Sequence, residues 1–472
     1  FDRNIYYYRL GTDFFLHKNH TLGFLVSGRI VDVEEKSVNR IAIAEAQNIS
    51  SIDSVLLANN RGDSRRNQNT YNLNYSFSNK AGKSLNIDLD YGGYKNENKR
   101  YQPNVYYDET QSNILTEVIN EFDTPNNIDI YTAKVDYEQN IGKGKLGLGS
   151  KYSFVDTKNT FKFFDVKDGI STLNTTRSNL FGYKEKVSAA YLTYAQALGK
   201  KWNFSAGLRM EHTNIVGDLT TFESGLEEEP VKLDYLNWFP SVGLTWQIAK
   251  TQSLALNYGR RINRPNYSVL NPFRTQLSEL SISKGNPFLK PEIVNNIELG
   301  YTLAYKYNFK VAYSRTTNKI TRLIGPDDSD VRANFISWDN LATQKVLSFS
   351  ASLPFEISKW WDVYMNISAS QIDNQADYGE AGGIVDVQAF TYSIYQQHTF
   401  KLIKGFKGEI SGYYSGPGVW GGVFKYDANW SMGAGLQKTF LDDKLKVRVS
   451  ANNIFNRFGW RGYSEFNGLK ST

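Results

Sequence analysis

Four histidines, a run of glutamates and one glycine-rich hexapeptide are the residues here whose types could carry chemistry. His17 and His20 share the turn HKNH, but two ligands on one turn fall short of the four a structural metal site takes. His212 and His398 show no neighbouring nucleophile with a third partner, so a Ser-His-acid arrangement is not supported. Glu227, Glu228 and Glu229 present oxygens that suit a divalent cation, although a solvated loop is the commoner source of such a run. The segment GPGVWG (416–421) has GxGxxG spacing, with Pro417 inside it and no helical period after it. A dinucleotide site needs a strand before and a helix after, so this is a glycine-rich turn. Arg61-Gly62-Asp63 spells an adhesion tripeptide of the kind that arises by chance in polar loops. No catalytic residue, no metal ligand and no cofactor is expected, and an enzyme is not the reading.

The composition narrows the class further. The chain has 472 residues, no cysteine, 9 Trp, 31 Tyr and 28 Phe. Without cysteine there are no disulfides, Cys-ligated zinc, iron–sulfur clusters or thiol nucleophiles. The net charge is +6, and no block of basic residues tracks a phosphate backbone, which argues against nucleic acid. Mean hydropathy is −0.47, and no apolar run approaches the ~18–20 residues of a spanning helix. The length exceeds one ordinary soluble core, so the chain is several domains or one large closed sheet.

Alternation decides between these. Tyr71, Leu73, Tyr75 and Phe77 oppose Asn72, Asn74, Ser76 and Ser78, and Leu85, Ile87, Leu89 and Tyr91 oppose Asn86, Asp88 and Asp90. The same two-faced pattern recurs at 202–210, 296–303 and 444–449. Strand side chains alternate between faces, so each segment is a strand with one apolar and one polar face. Short polar turns fall near 17–20, 79–83, 140–145, 198–201, 249–252, 304–307, 355–359, 403–406 and 441–443. Long hydrophilic stretches, expected to be irregular, fall near 34–68, 95–126, 156–182, 216–234, 262–291, 323–335, 371–387 and 415–424. About eighteen antiparallel strands in an up-and-down meander follow.

A transmembrane β-barrel accounts for the alternation and for the sorting of loops by length. Lipid covers the apolar face, polar residues line the interior, and closure leaves no unpaired backbone in hydrocarbon. Tyr6, Tyr8, Trp202, Trp238, Trp246, Trp360 and Trp361 suit interfacial girdles, or else ordinary cross-strand packing. Asp88, Asp90, Glu298 and Glu409 would face the lumen. Lys80, Lys83, Lys143, Lys145, Lys200, Lys201 and Lys250 gather at the short turns. Arg260 and Arg261, near the long-loop end of their strand, are candidates to meet lipopolysaccharide phosphates. The first strand runs into a short turn and the last runs away from one, so both ends lie on the long-loop side. A barrel entering from the periplasm should have its ends on the other side. An odd number of strands is therefore expected to be missing at each end, and residues 1–472 are read as one incomplete barrel domain.

Several stretches resemble the barrel of TonB-dependent receptors, of the outer-membrane β-barrel family common in Bacteroidota. The most specific are NYGRRINRPNYSVLNPF (257–273) and GNPFLKPEIVNNIELGY (285–301). Arg264, Pro265, Asn271, Pro272, Gly285, Asn286, Pro287, Leu289, Lys290, Pro291 and Glu292 stand at the family's motif positions. AAYLTYAQALGKKWNFSAGLRMEHT (189–213), NWFPSVGLTWQI (237–248) and VRVSANNIFNRFGW (447–460) resemble its other hairpins. Asn453 stands where the family often carries Asp.

The resemblance implies a 22-stranded barrel of which this chain would hold the fourth to the twenty-first strand. It further implies an N-terminal plug, which this chain lacks, and a TonB energy-coupling complex as partner. The function implied is energised uptake of a scarce nutrient such as a siderophore, glycan or peptide, in the bacterial outer membrane. Other implied partners are outer-membrane lipid with lipopolysaccharide, and a surface lipoprotein. The alternatives are a passive porin and a barrel serving as adhesin or membrane enzyme. The prolines keep 262–292 out of any ladder, so its motif residues are read as mainly structural. Arg264 and Glu292 are expected to pair with charges on the wall or plug. Tyr413, Tyr414, Trp420 and Phe424 are the aromatics nominated for stacking on a ligand, with girdle packing as the plainer reading.

Overall fold

The computed structural model describes residues 2–44, 52–223, 229–272, 274–278, 281–326, 334–377, 384–420, 424–441, 444–455, 459, 461–466 and 469–471. Eighteen wall strands follow one another among these residues. The first six are β1 (Asp2–His17), β2 (His20–Ile43), β3 (Ser54–Ser78), β4 (Ser84–Asp108), β5 (Ile114–Asp123 and Asn126–Ile141) and β6 (Gly144–Lys167). Then come β7 (Asn179–Leu198), β8 (Trp202–Thr221), β9 (Val231–Ala249), β10 (Gln252–Asn263), β11 (Glu292–Leu303) and β12 (Tyr307–Pro326). The last are β13 (Asn334–Ser358), β14 (Trp361–Asp377), β15 (Ile384–Lys401), β16 (Phe406–Ser415), β17 (Asn429–Phe440) and β18 (Leu445–Ala451). Each pairs antiparallel with the next, and the short strands Ile170–Leu173, Arg274–Ser278 and Ser281–Lys284 join the same sheet. No helix among the described residues is long and apolar enough to cross a membrane.

The face assignment follows from register. Leu208, Trp238, Val242, Leu256, Leu299 and Val311 lie on the outward side and are strongly exposed, as a lipid-facing surface must be when no lipid is present. Trp202 and Trp246 sit directly opposite each other in the ladder and stack 5.3 Å apart at the short-turn end of β8 and β9. Trp360, Trp361, His398 and Phe400 form a second outer aromatic group at that level. The inner face is polar, and its charges cross-link strands. Lys145 meets Glu138 at 2.5 Å and Lys310 meets Glu298 at 3.3 Å on neighbouring strands, while Arg448 of β18 reaches across β17 to Glu409 of β16 at 3.2 Å.

Most of the stretches expected to be irregular, 34–68, 95–126, 156–182 and 371–387 among them, instead contain continuations of strands. β2 and β3 stay paired out to Ile43 and Ser54, and β4 and β6 reach Asp108 and Lys167. Polar residues occupy both faces where the strands leave the lipid band, so alternation fades while the backbone ladder persists, and the ends beyond bury Val55, Leu56 and Ala58. Arg61-Gly62-Asp63 therefore lies within β3, opposite Lys36, Glu35 and Glu34, and not in a loop. The backbone ladder of β5 with β4 passes from one stretch to the other at Thr124–Pro125, where proline has no N–H to donate.

Candidate functional site

The 264–291 segment leaves β10 and folds onto the inner face of β4–β8. Prolines at 265, 272, 287 and 291 keep it from pairing at those points, and a single helical turn, Tyr267–Leu270, forms within it. Leu270 and Leu289, each 2% exposed, insert among Phe122, Phe161, Phe163, Phe181, Tyr183 and Ile215. These rings come from the inner faces of β5–β8, so the segment is anchored by a small dry core inside an otherwise polar interior.

Polar contacts fix both ends of the segment. Arg264 Nη2 donates to Glu211 Oε2 at 2.7 Å and to Thr213 Oγ1 at 3.1 Å. Arg209 Nε donates to the other oxygen of Glu211 at 2.5 Å, so one buried carboxylate lies between two guanidinium groups. At the far end, buried Glu292 accepts from Asn263 Nδ2 at 2.9 Å, Lys319 Nζ at 3.0 Å and the Ile320 backbone N–H at 3.0 Å. Both motif charges thus pair with wall residues. Asn340 clamps the Lys290 backbone, accepting from its N–H at 2.6 Å and donating to its carbonyl at 2.8 Å. Gly285 and Asn286 donate backbone bonds to Asn271 O and Val269 O. A Cβ on Gly285 would come within 2.1 Å of Asn271 O, so the crossing needs glycine. Burial, reinforced by the Glu185 charge, pushes the Tyr267 hydroxyl well above its ordinary value.

Between this segment and the wall lies a recess of about 380 Å³. Asn96, Asn98, Asn126, Asn159, Asn266 and Asn271 line it, together with Arg100 and the rings of Phe122, Phe161 and Tyr267. The Oδ1 atoms of Asn96, Asn126 and Asn159 are buried there without a hydrogen-bond partner. A buried amide that finds no partner in the protein is costly, and a ligand or water bearing donors would satisfy it. Amides both donate and accept, so the lining suits hydroxyl or amide groups held against flat aromatic surface.

The aromatics nominated from sequence are not brought to one face. Tyr414 lies outward, 5.8 Å from Tyr392, whereas its neighbour Tyr413 alternates inward. The backbones of Trp420 and Phe424 pair in the short hairpin Gly418–Trp420 and Phe424–Tyr426; their side chains lie outside the described residues. Glu227 and Glu228 also lie outside them, as does Gly421 of the glycine-rich turn. The histidines take scattered places: His20 bonds Tyr75 at 2.6 Å, and His212 meets Asp234 at 3.0 Å on the outer face. The asparagine recess was missed because its residues lie far apart in the chain. One signal was present, since Asn96, Asn98, Arg100, Gln102 and Asn104 share a face of β4.

A polar-lined meander with an apolar exterior and long loops at one end defines an outer-membrane β-barrel. The outer membrane protein beta-barrel family matches residues 75–472, and the chain belongs to that family. Its place is therefore the bacterial outer membrane. Among solved structures, the ferric-catecholate import receptor Fiu of E. coli K12, in its closed form, is similar at 11% identity with a TM-score of 0.55. That match covers 96% of this chain and 76% of the receptor. The siderophore receptor PiuA of Acinetobacter baumannii is similar at 12% identity and a TM-score of 0.51, covering 96% of this chain and 77% of that one. At such identities the likeness is one of fold. No curated protein matches the chain in sequence.

Proposed function

We propose that this barrel is the wall of a receptor that binds a scarce nutrient and admits it by energy-coupled, TonB-dependent uptake. The observation that carries the reading is the recess of about 380 Å³ beneath the inward-folded 264–291 segment, whose lining residues Asn96, Asn126 and Asn159 each bury a side-chain oxygen with no partner. A passive channel gains nothing from a dry anchor that pins a loop across its inner wall. The import receptors of similar fold support the reading, as does the Bacteroidota-type motif at 257–301. A plug within the lumen and the TonB complex at the periplasmic side belong to the proposal, as does a small ligand entering between the long loops. The nutrient class is a siderophore, glycan or peptide.

The test uses the complete native protein. In planar bilayers it should conduct little, and cellular uptake of its nutrient should stop when a protonophore collapses the proton gradient. Steady porin-like conductance, with uptake indifferent to the protonophore, would overturn the reading and install the passive porin. Binding to host matrix or lipid hydrolysis with no uptake would install an adhesin or enzyme.

A further inference from the structure

Uptake uses the inner face; the outer face carries a feature that uptake leaves unexplained. Register places four side chains in one outward row across β10–β13. Arg260 is opposite Asn295, Asn295 opposite Arg315, and Arg315 opposite Lys345. The next row down on β11–β13 is Ile297, Tyr313 and Leu347, and below it come Leu299, Val311 and Phe349, all exposed. A cationic row thus caps a continuous apolar strip.

The height of the row follows from strand geometry. Arg260 and Arg315 each stand eight residues past Gln252 and Tyr307, where their strands leave the short turns. At ~3.3 Å per residue and a tilt near 40°, that is roughly 20 Å above the turns, close to the upper edge of an apolar band about 25 Å tall. The row climbs further towards Lys345 because neighbouring strands are staggered by the tilt.

Its two guanidinium charges are not spent inside the protein. Lys345 has Asp373 at 3.7 Å, while Arg260 and Arg315 make no ion pair among the described residues. Arg260 Nε is buried with no acceptor. The Asn295 carbonyl accepts from Tyr258 at 3.0 Å, which leaves its amide as a further donor between the two guanidinium groups. Strands lie ~4.8 Å apart, so Arg260 and Arg315 flank a gap of roughly 10 Å that an anion can bridge. Guanidinium groups hold phosphate oxygens in paired hydrogen bonds, and the exposed aliphatic and aromatic rows match acyl chains.

We propose that Arg260, Asn295, Arg315 and Lys345 form a binding site for a phosphorylated, multiply acylated lipid of the outer leaflet, of the lipid A type. Arg261, next in sequence, alternates to the inner face and takes no part. The lipid's phosphate sits between the two arginines, and its chains run down the strip over β11–β13. Because the site is on the outer wall, it stands or falls independently of the uptake reading.

The test is native mass spectrometry of the complete protein in detergent, titrated with bisphosphorylated lipid A, with enzymatically dephosphorylated lipid A and with inorganic phosphate. Wild type should retain one lipid A, and Arg260→Gln with Arg315→Gln should weaken that binding at least tenfold. Dephosphorylated lipid should bind wild type as weakly as lipid A binds the double variant, and inorganic phosphate should not compete at equal concentration. Arg261→Gln should bind as wild type. Heat-modifiable gel migration reports folding; were the double variant to misfold, Arg315→Gln alone, at an exposed side chain, should still weaken binding about threefold. Equal binding by wild type and a folded variant, or equal binding of the dephosphorylated lipid, overturns the site.

Discussion

Arg264→Ala tests whether the inward segment is held by the buried carboxylate at its root. The substitution removes two bonds from a charged guanidinium, one to the Glu211 carboxylate and one to the Thr213 hydroxyl. Bonds to or from charged groups contribute about 1.5–3 kcal/mol net, less where solvent reaches them. Breaking a buried ion pair can cost about 3–5 kcal/mol when it strands a charge. Here Glu211 keeps Arg209 at 2.5 Å, and the Arg264 side chain is itself 27% exposed, so the lower figures apply. About 2–3 kcal/mol of local stability should be lost, which is about a 30- to 150-fold rise in opening. Hydrogen exchange of the Gly285 and Asn286 amides reads it directly, because both are bonded within the segment. Arg264→Lys should recover less than half the protection, since an ammonium cannot reproduce the fork. A double-mutant cycle with Glu211→Gln should return a coupling of about 1–2 kcal/mol. If protection in Arg264→Ala stays within twofold of wild type, the root contact is not what holds the segment.

Gly285→Ala should destabilise the same amides by about 1–3 kcal/mol, because its Cβ meets the backbone oxygens of Asn271 and Val269; normal exchange would mean the crossing can relax. Leu289→Ala empties a site only 2% exposed and should cost about 2–5 kcal/mol in the thermal unfolding of the segment. Asn126→Leu with Asn159→Leu fills the recess without touching the wall's ladders, and should abolish nutrient uptake while heat-modifiable migration is unchanged. At the tip after β4, desolvation is the largest single influence on the Asp108 carboxyl and raises it, but bonds from Asn113, Ser112 and Thr110 together outweigh it and hold the group below the ordinary carboxylate value. The order this gives the turn is complete above that ordinary value and is lost as pH falls through the lowered one; exchange of the 109–113 amides should follow this course, and Asp108→Asn should remove the pH dependence.

Period-two alternation carried the fold because each wall strand separates two solvents, lipid outside and water or protein inside. Where only one solvent remains, the signal disappears. Residues 34–37 and 95–100 are hydrophilic on both faces, so they resemble loop although the ladder continues through them. The prolines of 262–292 do not keep the stretch out of the ladder as expected, because the residues between them still pair: Asn263 with Glu292, and Arg274–Ser278 with Ser281–Lys284. Arg264 and Glu292 could be named as charges in want of partners. Their partners Glu211 and Lys319 could not be named, because nothing local to a strand records which residue of a distant loop will lie over it.

Arg260 and Arg261 show how far that reading reaches and where it ends. Adjacent in sequence and alike in chemistry, they were nominated together for lipid phosphate. Alternation alone separates them, because Arg260 follows Leu254, Leu256 and Tyr258 on the apolar face and Arg261 follows Asn257 and Gly259 on the polar one. What alternation does not supply is register. Only pairing across three ladders puts Asn295, Arg315 and Lys345 level with Arg260, turning a single cation at the lipid boundary into a row. The same step creates the recess on the inner face, where Asn126 stands opposite Asn159 and beside Asn96. Both sites of this wall are made by residues that share a level and not a stretch of chain, so a one-residue slip in any of these strands would send that strand's contribution to the opposite solvent.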